Sequence, residues 1–275
     1  MTSKLSLIGG GVMGEALLSR LIDRKLYHPD TILVSEPQAT RRELLAEKYG
    51  VQVTSDNQAA ATASEVLLLA IKPQVWETVA VELAEVGETN PEGGQLPVLV
   101  SILAGVPLSR LEAAFRYQPV IRAMPNTPAT VGAGITAIAP GTTAQPSHLE
   151  LAREIFSAVG EVVEVPEYLL DAVTGLSGSG PAYVALMIES LADGGVAAGL
   201  PRAIASQLAL ATVLGTAQLL QQSELHPAQL KDRVTSPGGT TIAGITRLEQ
   251  AGFRSAVIEA VQAAYRRSQE LGNRE

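Results

Sequence analysis

Apolar positions in the first part of the chain fall into short continuous runs separated by helical repeats. Leu5–Ile8, Ile32–Ser35, Val66–Ile71, Val98–Ile102 and Val120–Ala123 are apolar or β-branched almost throughout. Runs of this kind mark strands buried on both faces. Between them, Val12–Arg24, Ala39–Tyr49, Gln74–Glu85 and Leu108–Phe115 show helical patterns. Strands alternating with helices predict a parallel sheet with helices on both sides. Ile135–Ala139 and Val162–Val165 read as later strands of that sheet. Gly87–Pro97, rich in Gly, Pro and Glu, reads as a solvent loop.

After Pro166 the β-rich runs stop. Residues 166–222 carry charge only at Glu167, Asp171, Glu189, Asp193 and Arg202. Pro181, Pro201 and Pro227 fit the first turns of helices, and Gly199 fits the end of the helix that Pro181 opens. Ala203–Leu220 is apolar on nearly every face, which is how a buried helix looks. A helical region of this size cannot hide so much surface by itself. The cover is either the first domain or a second copy of the chain. The shortage of polar faces favours a large homodimer interface.

Composition narrows the function. A chain of 275 residues makes one large domain or two ordinary ones. With 46% apolar and 17% charged residues it builds a sizeable core. Twenty basic against 28 acidic residues give a net charge of −8. That excludes a general nucleic-acid binder, which needs clustered Lys and Arg. The absence of cysteine excludes disulfides, thiolate catalysis and cysteine-based zinc sites. His28, His148 and His226 lie far apart without ligand spacing, so no metal site is expected. Leu5–Leu18 follows Lys4 as an export signal would, but it contains four glycines and Glu15. Residues 203–223 include Gln207, Gln218, Gln221 and Gln222, too polar for a lipid span. The expectation is a soluble cytoplasmic protein with no membrane partner.

Five segments carry candidate chemistry. The first is Gly9-Gly10-Gly11-Val12-Met13-Gly14, directly after a strand and opening a helix. It contains G-x-G-x-x-G as Gly9, Gly11 and Gly14, the fingerprint of a Rossmann-type dinucleotide domain. The first glycine permits the turn, the second lets backbone approach a pyrophosphate, and the third lets helix and strand pack. The helix N-terminus offers free N–H groups to the anion. The second strand ends at Ser35-Glu36; a carboxylate there takes ribose hydroxyls and repels a 2′-phosphate. Arg41 or Arg42 could meet that phosphate, or both belong to a solvated helix turn. The second segment, Ala70-Ile71-Lys72-Pro73, ends a strand at the edge where such sheets bind ligands. Lys72 there either meets an anion or is an ordinary exposed lysine. The third, Ile121–Pro128, is a strand running into a proline-bounded loop. The fourth, Thr174–Tyr183, is an anion nest or a hinge. The fifth, Ser236-Pro237-Gly238-Gly239-Thr240-Thr241, precedes a helical pattern through Gln250 and suits a small carboxylate or simply caps the helix.

Taken in order, these segments resemble the pyrroline-5-carboxylate reductase family over almost the whole chain. The most specific signatures are Asp171–Tyr183, Leu191–Gly195, His226–Asp232 and Ser236–Thr241. The resemblance implies an α/β fold: an N-terminal Rossmann-type parallel-sheet domain over 1–165, then an all-α substrate-binding and dimerisation domain over 166–275. It implies NAD(P)H-dependent reduction of a cyclic imino acid to L-proline, with NADPH or NADH as cofactor and a homodimer or a multiple of dimers. By position, Ile8, Gly9, Gly10, Gly11, Val12 and Met13 line the pyrophosphate, and Ser35 and Asn57 lie near the adenosine ribose. Ala70, Lys72 and Ala104 line the nicotinamide. Val234, Gly239, Thr240 and Thr241 hold the substrate, and the Thr241 hydroxyl serves the imine nitrogen. Glu36 departs from the small or basic residue of many relatives. A β-hydroxyacid dehydrogenase would need a catalytic lysine in the second domain, and none occurs between Lys72 and Lys231.

Overall fold

The computed structural model describes residues 3–62, 65–83 and 96–272. Most of the expected Gly87–Pro97 loop and the end of the expected Gln74–Glu85 helix lie outside them. The chain divides into two compact units, one of residues 1–178 with 263–275 and one of residues 179–262.

The first unit alternates as the apolar runs predict: β1 (Leu5–Ile8), α1 (Val12–Asp23), β2 (Ile32–Ser35), α2 (Ala39–Tyr49), β3 (Gln52–Thr54), α3 (Asn57–Ala60), β4 (Val66–Leu69) and α4 (Trp76–Leu83). There follow β5 (Val98–Ser101), α5 (Leu108–Ala114), β6 (Val120–Met124), β7 (Gly134–Pro140), α6 (Pro146–Ser157), β8 (Gly160–Glu164) and α7 (Leu170–Val173). The sheet order is β3-β2-β1-β4-β5-β6-β7-β8. Its first six strands have the arrangement of a dinucleotide-binding sheet.

Alternate strand residues feed two separate cores. Leu5, Leu7, Val66, Leu68, Val98 and Val100 face Leu17, Leu21, Leu45 and Phe156. Ile8, Leu67, Leu69 and Leu99 face Trp76, Leu83, Leu111 and Phe115. The period of two along each strand therefore puts apolar side chains on both faces.

The sheet is not wholly parallel. β7 runs antiparallel to β6, with Arg122 opposite Ala139. The reason is the connection: residues 125–133 hold only the tight turn Thr127–Val131. A parallel return needs a longer crossover, usually a helix. β8 then pairs parallel to β7 through α6.

Strands end at Glu164, but the first compact unit continues to Gly178. Leu170 packs on Ala137 and Ala139. The buried Arg122 guanidinium pairs with Glu167 at 3.0 Å, and the same carboxylate accepts the Leu108 N–H. Thr174–Gly178 forms a single π turn. The Asn126 amide donates to the Ser177 carbonyl (3.2 Å) while its oxygen accepts the Ile135 N–H (2.9 Å). From Ala263 onward the last helix also belongs to this unit, where Ser268 donates to Asp171 at 2.7 Å.

The second unit is helical: α8 (Gly180–Ala197), α9 (Arg202–Ser223), α10 (Pro227–Arg233), α11 (Thr240–Gln250) and the start of α12 (Phe253–Gly272). α8 and α9 touch through Ala192, Ala205 and Ala209. Gly199, at φ +100°, lies just past the end of α8.

Candidate functional site

The expected dinucleotide site stands on the carboxyl edge of β1. Gly9 turns the chain at φ +104°, and a side chain there would stand 2.6 Å from the Ala70 carbonyl oxygen. A Cβ on Gly14 would run into the Gly9 carbonyl, and one on Gly10 would strike Leu45. Gly11 differs. It is the N-cap of α1 and no atom lies within 4 Å of where its Cβ would stand. Three glycines thus close the packing of loop, helix and sheet, while the fourth leaves open space. The N–H groups of Val12, Met13 and Gly14 precede the first intrahelical bond, from the Glu15 N–H to the Gly11 carbonyl (2.8 Å), and Val12 is 72% exposed. An anion such as a pyrophosphate fits a helix start of this kind.

The neighbouring strand ends carry the other expected cofactor residues. Ser35, at the end of β2, donates to the Asn57 side-chain oxygen at 2.7 Å, and Asn57 donates to Glu82 at 2.7 Å. Ala70 follows β4, hydrogen bonded through its N–H to the Ile8 carbonyl (2.8 Å). Lys72 is exposed beside it and precedes the tight turn Pro73–Val75. Its ammonium has no ion pair among the described residues. Ala104 sits in the turn after β5, where the next residue, Gly105, has φ +74°. Ile8–Met13, Ser35, Asn57, Ala70, Lys72 and Ala104 therefore gather along one edge of adjacent strands, as ligand sites in open α/β sheets do.

The charged residues after β2 are more engaged than their sequence positions suggest. The Glu36 carboxylate, nearly buried, accepts the Gly10 N–H (3.0 Å) and the Gln38 N–H (3.1 Å). Arg41 donates through Nε to the Gly10 carbonyl at 2.7 Å and pairs with Glu15. Arg42 donates to the Glu36 and Pro37 carbonyls at 2.7 and 2.8 Å. Burial acts to raise the Glu15 carboxyl. Hydrogen bonds from Tyr49, Lys48 and Arg41 outweigh it and lower its pKa to about 2.

The expected substrate residues lie in the second unit. Val234 and Gly239 bound the link between α10 and α11, and Thr240 and Thr241 are the first two residues of α11. Gly238 has φ +66°, and a Cβ on Gly239 would strike the Ser236 hydroxyl. Gly239 is the N-cap of α11 and no side chain caps that helix. The Thr241 hydroxyl, half-buried, has no hydrogen-bond partner among the described residues. It is therefore not spent on capping. A groove of about 610 Å³ opens elsewhere, between α8 and α9, and is lined by Glu189, Asp193 and Arg202. None of the expected site residues lines it.

The three histidines have local tasks. His28 accepts the Asp30 N–H (3.4 Å), His148 the Gln145 N–H (3.0 Å) and His226 the Ala228 N–H (3.2 Å). Each sits at the start of a helical turn. No group of three or more potential metal ligands occurs among the described residues.

Comparison with known proteins identifies the family. Residues 4–105 match the family model for NADP oxidoreductases, coenzyme F420-dependent. Residues 167–271 match the model for pyrroline-5-carboxylate reductase dimerisation. The chain is 63% identical to the pyrroline-5-carboxylate reductase of Synechocystis sp. over the full length of both chains. It belongs to the pyrroline-5-carboxylate reductase family. Two solved members of that family share its fold. The Coxiella burnetii protein gives a TM-score of 0.89 at 35% identity, covering all of both chains. The Plasmodium falciparum protein, solved with NADP bound, gives 0.86 at 30% identity, covering 98% of each.

Within this pyrroline-5-carboxylate reductase fold, several working residues escape sequence reasoning. Asn126 lies in the proline-bounded loop of the third segment, but its partner Ser177 is remote in sequence. A Cβ on Gly178 would meet the Met124 methyl at 2.9 Å, so that glycine of the fourth segment admits the end of β6. The pairing of Glu36 with the Gly10 N–H and of Arg41 with the Gly10 carbonyl also leaves no local signal. Only the loop's run of three glycines hints that something packs closely on it.

Proposed function

We propose that this protein reduces 1-pyrroline-5-carboxylate to L-proline, the last step of proline biosynthesis, using NADPH, or NADH in its place. The observation that carries the reading is the 63% identity to a reductase of that name, unbroken from end to end. The NADP held by the Plasmodium falciparum relative supports the cofactor. Residues 1–165 would hold the dinucleotide, and residues 166–275 the cyclic imino acid and the dimer contact.

Bound at the glycine loop, the reduced dinucleotide would supply the hydride for the imine carbon. The protein's own residues do the rest. Ile8–Met13 cradle the pyrophosphate at the start of α1, with Gly11 leaving room for it. Ser35 and Asn57 meet the adenosine ribose, and Ala70, Lys72 and Ala104 flank the nicotinamide. Both ligands are anionic and the chain is acidic, so helix N-termini and Lys72 must provide the local positive potential. The free N–H groups opening α11 hold the substrate carboxylate, with Val234, Gly239 and Thr240 around the ring. The Thr241 hydroxyl donates to the imine nitrogen and relays from water the proton that the nitrogen gains as hydride adds to the carbon. Hydrogen bonding or protonation there makes the carbon far more electrophilic, so neither a histidine nor a carboxylate is required.

The apolar surface of the helical unit we assign to a second copy of the chain, giving a homodimer or a multiple of it. Arg202–Ser223 is long and apolar enough to cross a membrane by length and composition, with a mean hydropathy of 1.5. Its place inside a match to a dimerisation model supports a protein partner instead, and we assign the enzyme to the cytoplasm. The test is steady-state oxidation of NADPH and NADH in parallel with pyrroline-5-carboxylate. Substrate-dependent oxidation is expected. No turnover with either cofactor would overturn the reading.

A further inference from the structure

The two peptide groups that flank Gly10 are each gripped by a side chain from outside the loop. The Gly10 N–H, in the Gly9–Gly10 peptide, donates to Glu36 at 3.0 Å, and the Gly10 carbonyl, in the Gly10–Gly11 peptide, accepts from Arg41 at 2.7 Å. Neither grip is casual. Glu36 is 8% exposed, and its second oxygen is taken by the Gln38 N–H at 3.1 Å. Arg41 is itself fixed by Glu15, on the first turn of α1, which Lys48 (2.9 Å) and Tyr49 (2.7 Å) also hold. Gly10 has no freedom to move aside, because Leu45 and Glu36 lie where its side chain would be. Neither flanking peptide can flip without breaking the bond that holds it. The next residue is Gly11, where a Cβ would meet nothing within 4 Å and a ligand has room.

We propose that Glu36 and Arg41 are positioning residues. They fix the peptides on either side of Gly10, and through them the face that Gly11 and the first turn of α1 present to the pyrophosphate. This rests on the reading of that loop as a dinucleotide site. It changes what the two residues recognise. A carboxylate at this point in a Rossmann-type fold is otherwise read as a ribose ligand that discriminates between NADH and NADPH, and a nearby arginine as a 2′-phosphate ligand. Here both are occupied by the loop, which every dinucleotide meets in the same way. Their loss must therefore weaken both cofactors alike.

The experiment is calorimetric titration of NADPH and of NADH into the wild-type protein and into Arg41→Met, Glu36→Ala and Glu36→Gln, with a melting curve for each. Arg41→Met keeps much of the aliphatic stem while removing the donor. The expected result is a rise in Kd of about tenfold for both cofactors in Arg41→Met and Glu36→Ala, the scale of one hydrogen bond to a charged group. The NADPH-to-NADH ratio stays within about twofold, since the pyrophosphate is common to both. Glu36→Gln keeps one acceptor for Gly10 and loses less, and it carries the test if Glu36→Ala does not fold. At saturating cofactor kcat is unchanged in all three. A changed ratio, or an unchanged Kd in Arg41→Met and Glu36→Gln, overturns the proposal while leaving the cofactor reading intact. Wild-type protein that binds neither dinucleotide overturns both.

Discussion

The two compact units solve the problem of apolar surface in opposite ways. In the first, Leu17, Leu45, Phe115 and Phe156 are shut away on the two faces of one sheet. In residues 179–262, only Ala192, Ala205 and Ala209 are buried among the described residues. Leu186, Leu208, Leu210 and Leu214 are each more than half exposed in the single chain. Apolar content alone therefore does not make a core. The same kind of residue finishes a fold in one region and leaves a surface in the other. Exposed apolar area of this extent marks an interaction site.

The largest effect is expected where that surface is spoiled. Leu210 and Leu214 lie one turn apart on α9, both 56% exposed. Replacing both with Glu should raise the dimer dissociation constant by at least about 10³-fold, since each buried leucine is worth roughly 1.5–3 kcal/mol and charges would be desolvated instead. Light scattering over a dilution series checks this; the sheet core of the first unit should survive by near-ultraviolet circular dichroism. An unchanged assembly would show that the leucines are simply solvated.

The next effect breaks the other side of the comparison. Gly11→Val fills open space, so the first unit should fold and dinucleotide binding should vanish in a titration. Gly14→Val drives a side chain into the Gly9 carbonyl and should destabilise the unit itself. If Gly11→Val binds cofactor as the wild type does, the loop is not the pyrophosphate site.

Thr241→Val is expected to lower kcat by about 10–10³-fold, as loss of hydrogen-bond assistance does. Cofactor affinity should hardly move. Because Gly239 is the N-cap and Thr241 makes no capping bond, its melting temperature should stay close to that of the wild type. A less stable but fully active variant would remove the catalytic role.

The smallest effect is on acid stability. Glu15 titrates near pH 2 when folded, below the ordinary carboxylate range. Its contribution to stability is therefore complete above that range and is lost as pH falls toward 2. Glu15→Gln should flatten the melting temperature between about pH 5 and pH 2. An acid limb identical to the wild type would show that the cluster around Glu15 is not ionic.

Much of the first unit is legible because its signals are local. A buried strand announces itself in four consecutive residues such as Leu5–Ile8, and a helix in the spacing of Ala39–Tyr49. The short edge strand β3 does not, because Gln52–Thr54 is three residues long and partly polar. The reversal at β7 follows from the length of a connection rather than from the strand's own residues. The glycine loop and the 236–241 segment stand out through glycines that local geometry demands. The Arg122–Glu167 pair, the Asn126–Ser177 bond and the grip on Gly10 join residues distant in sequence, and no periodicity records such choices. The division at Gly178 rather than near residue 165 has the same origin: α7 is helical in sequence but packs on β7.

The most direct measurement is the molar mass of the wild-type protein by light scattering at the concentrations where it turns over NADPH and pyrroline-5-carboxylate. If a second copy closes the apolar surface of residues 179–262, active protein is a dimer or a multiple of it throughout that range. A stable monomer with full activity would contradict this.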